Sequence, residues 1–149
     1  MRVVLGADHA GFDLKEQLKR FLDDLGVPYE DVGCLSPDPV DYPDIAAAVA
    51  RRVADGSADR GILLCGTGIG MAVAANKIRG IRASAACSTE AVALARAHND
   101  LNVLTLGARF TPAETARAFV RTFLETPFDG GRHQRRVDKI SSLEQGEPS

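Results

Sequence analysis

A cysteine followed directly by a glycine-rich turn has the residue types needed for proton transfer beside a bound anion. The stretch follows a short apolar run, residues 62–64, that is typical of a buried strand, and it reads Cys65-Gly66-Thr67-Gly68-Ile69-Gly70. Glycines at every second position let the backbone approach a ligand closely, with free N–H groups that can bind an anion. The Cys65 thiol could act there as a base or a nucleophile, because neighbouring N–H dipoles stabilise a thiolate. An inert cysteine in the core is the alternative interpretation.

The turn does not match three well-known phosphate-binding motifs. The dinucleotide-binding fingerprint requires glycine at the position of Met71, and the P-loop requires a Gly-Lys-Ser/Thr sequence that does not follow here. A tyrosine-phosphatase loop requires an arginine six positions after the cysteine, and that position is again Met71. We therefore exclude these three interpretations of the turn.

Polar residues also follow other predicted strands. Asp8 and His9 come after the first strand, and Tyr42 lies in the loop after the second. Ligands of an open parallel sheet bind beyond the carboxyl ends of its strands, so these residues are expected at the same edge as Cys65. Each has a structural alternative: Asp8 could cap the next helix, His9 could be a solvated loop residue, and Tyr42 could contribute to packing.

Three arginines are candidates for binding a phosphate. Arg132 and Arg136 are four residues apart, so they share one face of a helix, and Arg109 follows the fifth predicted strand. A solvated basic face is the alternative interpretation. Together, the glycine-turn amides and the arginine pair predict a substrate with a phosphate and a second, transient negative charge.

The elements that position these residues alternate between strands and helices. Short apolar runs predict five strands, at residues 3–7, 29–32, 61–65, 81–86 and 103–106. Helical patterns lie between and after them, at residues 14–25, 45–54, 71–77, 89–97 and 111–124, and the proline-rich residues 34–43 are predicted to form a loop. This alternation predicts one α/β domain over residues 1–149, a Rossmann-like, mainly parallel sheet with helices on both faces. A final helix, about residues 132–144, needs a surface to pack on, and a second subunit is a reasonable candidate.

His98 is expected far from Cys65 within one subunit. It lies between a predicted helix and the following strand, so it belongs to the sheet edge opposite Cys65. If both residues are catalytic, His98 comes from a neighbouring chain. The alternative is a polar loop residue that is favourable at the negative end of its helix.

Composition and charge limit the class of protein. The chain has 149 residues and a net charge of −2, which gives no reason to expect nucleic acid or an anionic membrane as a partner. No apolar run approaches the roughly 20 residues that span a bilayer, and the first residues lack the layout of a signal peptide. Three scattered cysteines, Cys34, Cys65 and Cys87, predict free thiols in the cytoplasm and neither a disulfide framework nor a zinc site.

Seven short motifs carry a resemblance to a known family. They are Gly6-Ala7-Asp8-His9-Ala10-Gly11, Asp41-Tyr42-Pro43, the turn of residues 65–70, Ala74-Ala75-Asn76-Lys77, Gly80-Ile81-Arg82-Ala83, His98-Asn99-Asp100 and Gly130-Gly131-Arg132-His133. In this order and combination they resemble the ribose-5-phosphate isomerase B family, which also contains the galactose-6-phosphate isomerase subunits. The resemblance runs from residue 2 to about residue 144.

The resemblance implies a Rossmann-like fold and an interconversion of ribose 5-phosphate and ribulose 5-phosphate, without metal or cofactor, as in the non-oxidative pentose phosphate pathway. Cys65 would move a proton between C1 and C2, the amides of residues 66–70 would stabilise the enediolate, and Thr67 would assist proton transfer at the oxygens. Some members instead use a glutamate just after the turn. That position is Met71 here, which cannot accept a proton, so the resemblance assigns the base to Cys65.

The resemblance also implies sugar and phosphate contacts. His98 would help to open the furanose ring, with Asp8 holding the sugar and Asn99 contacting it. The residues implied for the phosphate are His9, Arg109, Arg132 and Arg136. The family's dimers share active sites between subunits, so a homodimer is expected, or a dimer of dimers.

Two alternatives to this function stay open. One is an isomerase of a six-carbon sugar phosphate, allose or galactose 6-phosphate. The other is a non-catalytic module that senses a sugar phosphate or a nucleotide through the same turn. For a nucleotide, an acidic ribose ligand after the second strand would be expected, and Asp31 at the end of that strand is a candidate.

Overall fold

Five parallel strands form one sheet in the computed structural model, which describes residues 1–146. In chain order they are β1 (Val3–Ala7), β2 (Tyr29–Asp31), β3 (Arg60–Cys65), β4 (Ala83–Ala85) and β5 (Val103–Gly107). Their order across the sheet is β2-β1-β3-β5-β4, and each neighbouring pair is parallel. The predicted α/β fold with a five-stranded sheet is confirmed.

Helices connect these strands and end the described chain. They are α1 (Phe12–Leu25), α2 (Tyr42–Ala54), α3 (Ile69–Ala75), α4 (Thr89–Asn99), α5 (Ala113–Glu125) and α6 (Arg132–Leu143). Helices α1, α4 and α5 pack on one face of the sheet, and α2 and α3 pack on the other. No helix within residues 1–146 is long and apolar enough to cross a membrane.

Three helices begin earlier than the sequence predicts, and the first of them, α1, does so by two residues at Phe12. The predicted loop of residues 34–43 is wrong at its end, because Tyr42 and Pro43 form the first turn of α2. A proline fits there, since the first N–H groups of a helix have no partner within it. Helix α3 begins at Ile69, directly after Gly68 adopts a left-handed φ of 78°. The end of the glycine turn is therefore part of the helix.

Side chains of β3 alternate between the two apolar cores. Ile62 and Leu64 face the core beneath α1, α4 and α5, whereas Leu63 and Cys65 face the core beneath α2 and α3. This alternation follows from the two-residue period of a strand. It places the Cys65 side chain on the face where α3 leaves the glycine turn.

A buried ion pair links α1 to the end of β2. The fully buried Lys15 ammonium lies 2.5 Å from the Asp31 carboxylate and 3.2 Å from that of Glu16. Asp31 also accepts hydrogen bonds from Lys19 at 2.9 Å and from the Gly33 N–H at 3.0 Å. Burial alone would raise the pKa of Asp31, but these hydrogen bonds, that of Lys15 foremost, hold it below its usual value. Asp31 is thus engaged with two lysines, which disfavours it as a ribose ligand.

The helix predicted at residues 132–144 forms as α6 and leaves part of its apolar stripe uncovered. Val137 is buried, whereas Ile140 and Leu143 are 42% and 68% exposed. Beyond the helix, the Glu144 carboxylate accepts the Gly80 N–H at 2.9 Å. The predicted need for a further packing surface therefore remains at this end of the described chain.

Candidate active site

The glycine turn begins at the carboxyl end of β3 and lies against its cysteine. Cys65 is 6% exposed, and its sulfur accepts the Gly68 N–H at 3.2 Å. The Ile69 N–H points to the hydroxyl of Thr67 at 3.2 Å. One amide of the turn therefore points at the sulfur and the next at the hydroxyl, an arrangement that can stabilise a thiolate and orient a proton donor beside a substrate oxyanion.

The end of β5 supports this turn from the neighbouring position in the sheet. Ala108 and Arg109 donate backbone hydrogen bonds to the carbonyls of Cys65 and Gly66, at 2.8 and 3.0 Å. Glycine is needed at residue 107, because a Cβ there would lie 2.6 Å from the Thr67 carbonyl oxygen. The turn thus has little room to move relative to β5.

A cavity of about 400 Å³ opens above the turn, and most of the residues predicted from the carboxyl ends of the strands line it. The lining residues are Asp8, His9, Ala10, Tyr42, Cys65, Gly66, Thr67, Ile69, Gly70 and Arg109. Strands β1 and β3 are neighbours, while β2 lies on the far side of β1, so the cavity stands where the strand order reverses. Open α/β sheets bind their ligands at such a position.

Asp8 and His9 enter the cavity from the end of β1. One carboxylate oxygen of Asp8 accepts the N–H groups of Ala10 and Gly11 at 3.0 and 3.1 Å, so its capping role, the structural alternative, is confirmed. The His9 Nδ1 accepts the Val40 N–H at 3.4 Å. In the neutral ring this leaves the proton on Nε2, which makes His9 a hydrogen-bond donor toward an anion.

Arg109 and Tyr42 pack directly on the glycine turn. A Cβ at Gly66 would lie 3.1 Å from the Arg109 Nε, so the guanidinium lies close above the turn. A Cβ at Gly70 would lie 2.7 Å from the Tyr42 ring, which identifies packing as one role of that tyrosine. Arg109 therefore brings a positive charge to the cavity from the same subunit as Cys65.

A second polar cluster forms where α4 ends and α6 begins. The rings of His98 and His133 are stacked, with centroids 4.2 Å apart and an interplanar angle of 11°. The Asp129 N–H donates to the Ala97 carbonyl at 3.0 Å, and the Asp129 carboxylate lies within 4.8 Å of both imidazoles. Burial lowers the pKa of His133 below its usual value, and the charges of His98 and Arg132 lower it further.

This cluster suits an anion better than a metal ion. Two imidazoles and a carboxylate are ligand types for zinc, but Arg132 and Arg136 both act on His133 and would repel a cation. The guanidinium groups of the arginines and the imidazole N–H groups instead supply several donors for a phosphate. Sequence reasoning did not select His133 or Asp129, although both stand within or next to the Gly130-Gly131-Arg132-His133 motif.

The two sets of predicted residues lie at opposite edges of the sheet. Cys65 ends β3, whereas α4, which carries His98 and Asn99, leads into the start of β5. Because β3 and β5 are parallel neighbours, the end of one strand and the start of the other are at different edges. The predicted residues that do not line the Cys65 cavity include His98, Asn99, Arg132 and Arg136.

A sequence model of one protein family matches almost the whole chain. The family is described as Ribose/Galactose Isomerase, and the match covers residues 3–140. This chain belongs to the ribose/galactose isomerase family. The resemblance stated above on seven motifs is confirmed.

Relatives of this ribose/galactose isomerase family member include proteins named for two different sugar phosphates. The ribose-5-phosphate isomerase B of Escherichia coli is 44% identical over 144 residues, 97% of this chain and 97% of that protein. The D-erythrulose-4-phosphate isomerase 2 of Mycolicibacterium smegmatis is 44% identical over 132 residues, 87% of each chain. The ribose-5-phosphate isomerase B of Mycoplasma genitalium, whose crystal structure contains bound ribulose-5-phosphate, is 40% identical in sequence to this chain. It superimposes with a TM-score of 0.94 and covers 98% of this chain and 97% of that one.

Proposed function

We propose that this protein interconverts ribose 5-phosphate and ribulose 5-phosphate through an enediolate. The observation that carries the proposal is the Cys65 sulfur, 3.2 Å from the Gly68 amide at the base of a cavity lined by turn residues. A base and an oxyanion site at one point are what an aldose–ketose isomerisation needs. The names of the Escherichia coli and Mycoplasma genitalium relatives support the same substrate pair.

In the proposed reaction Cys65 acts as the base. Its thiolate removes the proton from C2 of the open-chain aldose, and the electrons of that C–H bond pass to the carbonyl oxygen at C1. The amides of residues 66–70 bind the resulting enediolate, and Thr67 assists proton transfer between the two oxygens. The proton then returns from sulfur to C1, which gives the ketose.

We propose that two subunits form each complete site. Cys65 lies at one sheet edge, and His98, with Arg132 at the start of α6, belongs to the other. An open groove of about 490 Å³ lies beside the edge strand β4 and is lined by Ile81, Asn99, Ile140 and other residues. The exposed part of the apolar stripe of α6 forms one side of this groove. A second copy packed on this apolar groove would cover the stripe and carry His98 to the partner's cavity. A homodimer is the minimum assembly that achieves this, and a dimer of dimers also satisfies it.

Mixing two inactive variants tests this shared site. Cys65→Ala and His98→Asn subunits, co-expressed with different tags, are each expected to form inactive homodimers. Random pairing should restore about a quarter of wild-type activity, because half of the dimers are mixed and each of these keeps one intact site. The control pairs Cys65→Ala with Asp8→Asn, which alter the same half-site and leave no intact site in a mixed dimer. Failure of the first pair to regain activity would contradict sharing between subunits.

Arg136 is proposed to hold the substrate phosphate, together with Arg132, Arg109 and His9. Arg136→Ala is expected to raise KM for ribose 5-phosphate by about 10-fold or more, with a smaller change in kcat, because a charged hydrogen bond to phosphate contributes about 1.5–3 kcal/mol. Steady-state kinetics give both constants. Arg135→Ala, an exposed neighbour on the same helix, is the matched control and should leave KM within about twofold. An unchanged KM in Arg136→Ala would refute the phosphate role.

Substrate length separates the remaining candidates for the reaction. Relatives at similar identity carry names for five-carbon and four-carbon sugar phosphates, and the six-carbon alternative stands beside them. Formation of ribulose 5-phosphate from ribose 5-phosphate would establish the proposed activity. Absence of turnover with four-, five- and six-carbon sugar phosphates would favour a non-catalytic binding module. Comparing kcat/KM for erythrulose 4-phosphate, ribose 5-phosphate and allose 6-phosphate identifies the preferred length.

We place this reaction in the cytoplasm, as a step of the non-oxidative pentose phosphate pathway. The support for that location is the state of the thiols, because Cys34, Cys65 and Cys87 are all free. Free thiols, one of them exposed, are typical of a reducing compartment.

A further inference from the structure

Thr105 makes a buried hydrogen bond to the glycine turn that the proposed mechanism does not use. It lies on β5, its side chain is fully buried, and its hydroxyl donates to the Gly68 carbonyl oxygen at 2.6 Å. The two residues are 37 positions apart in sequence. Apolar residues could fill this place in the strand, so a buried hydroxyl with a single well-formed bond needs an explanation.

Gly68 is also the residue that contacts the proposed base. Its N–H donates to the Cys65 sulfur at 3.2 Å, while its carbonyl accepts from Thr105 at 2.6 Å and from the Ala72 N–H of α3 at 3.2 Å. These hydrogen bonds flank the same α-carbon, where φ is 78° and a Cβ would lie 3.0 Å from the Leu106 backbone. Thr105 and Cys65 are therefore linked through one glycine that has little freedom to rotate.

The same bond orients the next amide of the turn. In a trans peptide the C=O and the N–H point in opposite directions. Since Thr105 holds the Gly68 carbonyl toward β5, the Ile69 N–H points away from β5, to the side where the Thr67 hydroxyl accepts it at 3.2 Å. Both Thr67 and Ile69 line the cavity. The hydroxyl of Thr105, together with the Ala72 N–H, thus fixes the direction of an amide that holds the Thr67 hydroxyl at the cavity.

We infer that Thr105 is a positioning residue for catalysis, which holds Gly68 so that its amide stabilises the Cys65 thiolate and the next amide holds the Thr67 hydroxyl at the cavity. This inference rests on the proposed function. A purely structural role would require only that the buried hydroxyl finds an acceptor, since the Gly68 carbonyl already accepts the Ala72 N–H. The two roles differ in what happens to the thiol when the hydroxyl is removed and the shape is kept.

Thr105→Val removes the hydroxyl and preserves the side-chain shape, and Thr105→Ser keeps the hydroxyl. Loss of one hydrogen bond that acts on the transition state is expected to lower kcat about 10-fold in Thr105→Val, with KM within about twofold. Thr105→Ser should stay within about threefold of wild type. Thr122→Val, a partly buried threonine on α5, is the control for the exchange itself and should leave kcat unchanged.

A second measurement follows Cys65 without any substrate. Alkylation by iodoacetamide, read by mass spectrometry of the Cys65 peptide, reports the thiolate fraction across pH. The pH midpoint of Cys65 alkylation should be higher in Thr105→Val than in wild type, and it should equal the wild-type value in Thr105→Ser. The rate of alkylation at the exposed Cys87 should be the same in all three proteins. The other titratable groups that line the cavity are Asp8 and His9 from the end of β1, Tyr42 from α2 and Arg109 from the end of β5, and all are unchanged in these variants.

The outcomes distinguish this inference from the proposed function. An unchanged alkylation midpoint and an unchanged kcat in Thr105→Val would overturn the positioning role, even if the melting temperature falls. If the wild-type protein has no isomerase activity but the pH midpoint of Cys65 alkylation still shifts in Thr105→Val, the link from Thr105 to Cys65 is supported and the proposed reaction is rejected. A lower kcat shared by Thr105→Val and Thr105→Ser would also overturn the role, because the hydroxyl would then not be the cause.

Discussion

Replacement of Cys65 by alanine is expected to abolish isomerisation while sugar-phosphate binding remains. A general base typically contributes about 10²–10⁴-fold to a rate, so kcat should fall by at least about 100-fold. Met71, the residue directly after the turn, is fully buried and cannot accept a proton. The Asp8 carboxylate is engaged in two hydrogen bonds to the backbone, so it is poorly placed to replace the thiol.

Kinetics and binding must be measured together for this variant. Ribulose 5-phosphate formation gives kcat, and isothermal titration calorimetry gives the affinity for ribose 5-phosphate, which should change by less than about threefold because the groups proposed for the phosphate remain. Cys34→Ala is the matched control, since Cys34 is also buried and its burial raises the pKa of its thiol. Its turnover should remain near wild type. Near-normal turnover in Cys65→Ala would remove Cys65 from the mechanism.

Replacement of Asp31 by asparagine is expected to cause a large loss of stability. It leaves the buried Lys15 ammonium without its 2.5 Å carboxylate partner, with Glu16 at 3.2 Å as a poorer substitute. Removing one partner of a buried ion pair costs about 3–5 kcal/mol, and the remaining carboxylate points to the lower end of that range. Since a domain is stable by only about 5–15 kcal/mol, urea denaturation should show a clear fall in the free energy of unfolding.

The neighbouring residue on β2 provides the matched control. Glu30 pairs with Arg52 at 3.0 Å, but both side chains are more than one-third exposed, so Glu30→Gln should cost less than about 1 kcal/mol. The double variant Lys15→Met/Asp31→Leu removes both charges and should recover much of the loss. Equal effects of the Asp31 and Glu30 substitutions would refute the buried pair as a main source of stability.

The stability gained from Asp31 should depend on pH in a defined direction. Its pKa in the folded protein lies below the usual carboxyl value, because hydrogen bonds from Lys15, Gly33 and Lys19 outweigh the effect of burial. The folded state therefore favours the ionised form, so the contribution is fully present above the ordinary pKa of aspartate, about 4. It is lost as pH falls through the lower, folded-state pKa. The difference between wild type and Asp31→Asn should shrink in acid.

Local sequence patterns predicted the sheet and the separation of the two clusters. Runs such as residues 62–64 are apolar because the strand is buried on both faces, and the rule for parallel strands then placed Cys65 and His98 at opposite edges. Element ends were harder to place. The proline-rich pattern predicts a loop through Pro43, although a proline also fits the first turn of a helix, as in α2.

Long-range polar partners could not be predicted from spacing. Lys15 would be expected at the surface by its residue type, and its burial depends on Asp31, 16 residues further along and on another element. Thr105 likewise looks like an ordinary strand residue until the fold brings Gly68 next to it. His133 and Asp129 are close to His98 only because α6 begins beside the end of α4 in the fold.

The close packing of the glycine turn restricts how substrate preference can change in evolution. A side chain at Gly68 or Gly107 would collide with backbone atoms at 3.0 or 2.6 Å, so neither site tolerates a gradual series of substitutions. Residues 66–70, which are proposed to bind the enediolate, are therefore expected to vary little. Variation can instead accumulate at Pro39 and Val40, which share a second cavity with His9. A change in the preferred length of the sugar is therefore expected to arise through substitutions at this second cavity, while Cys65 and the glycine turn stay unchanged.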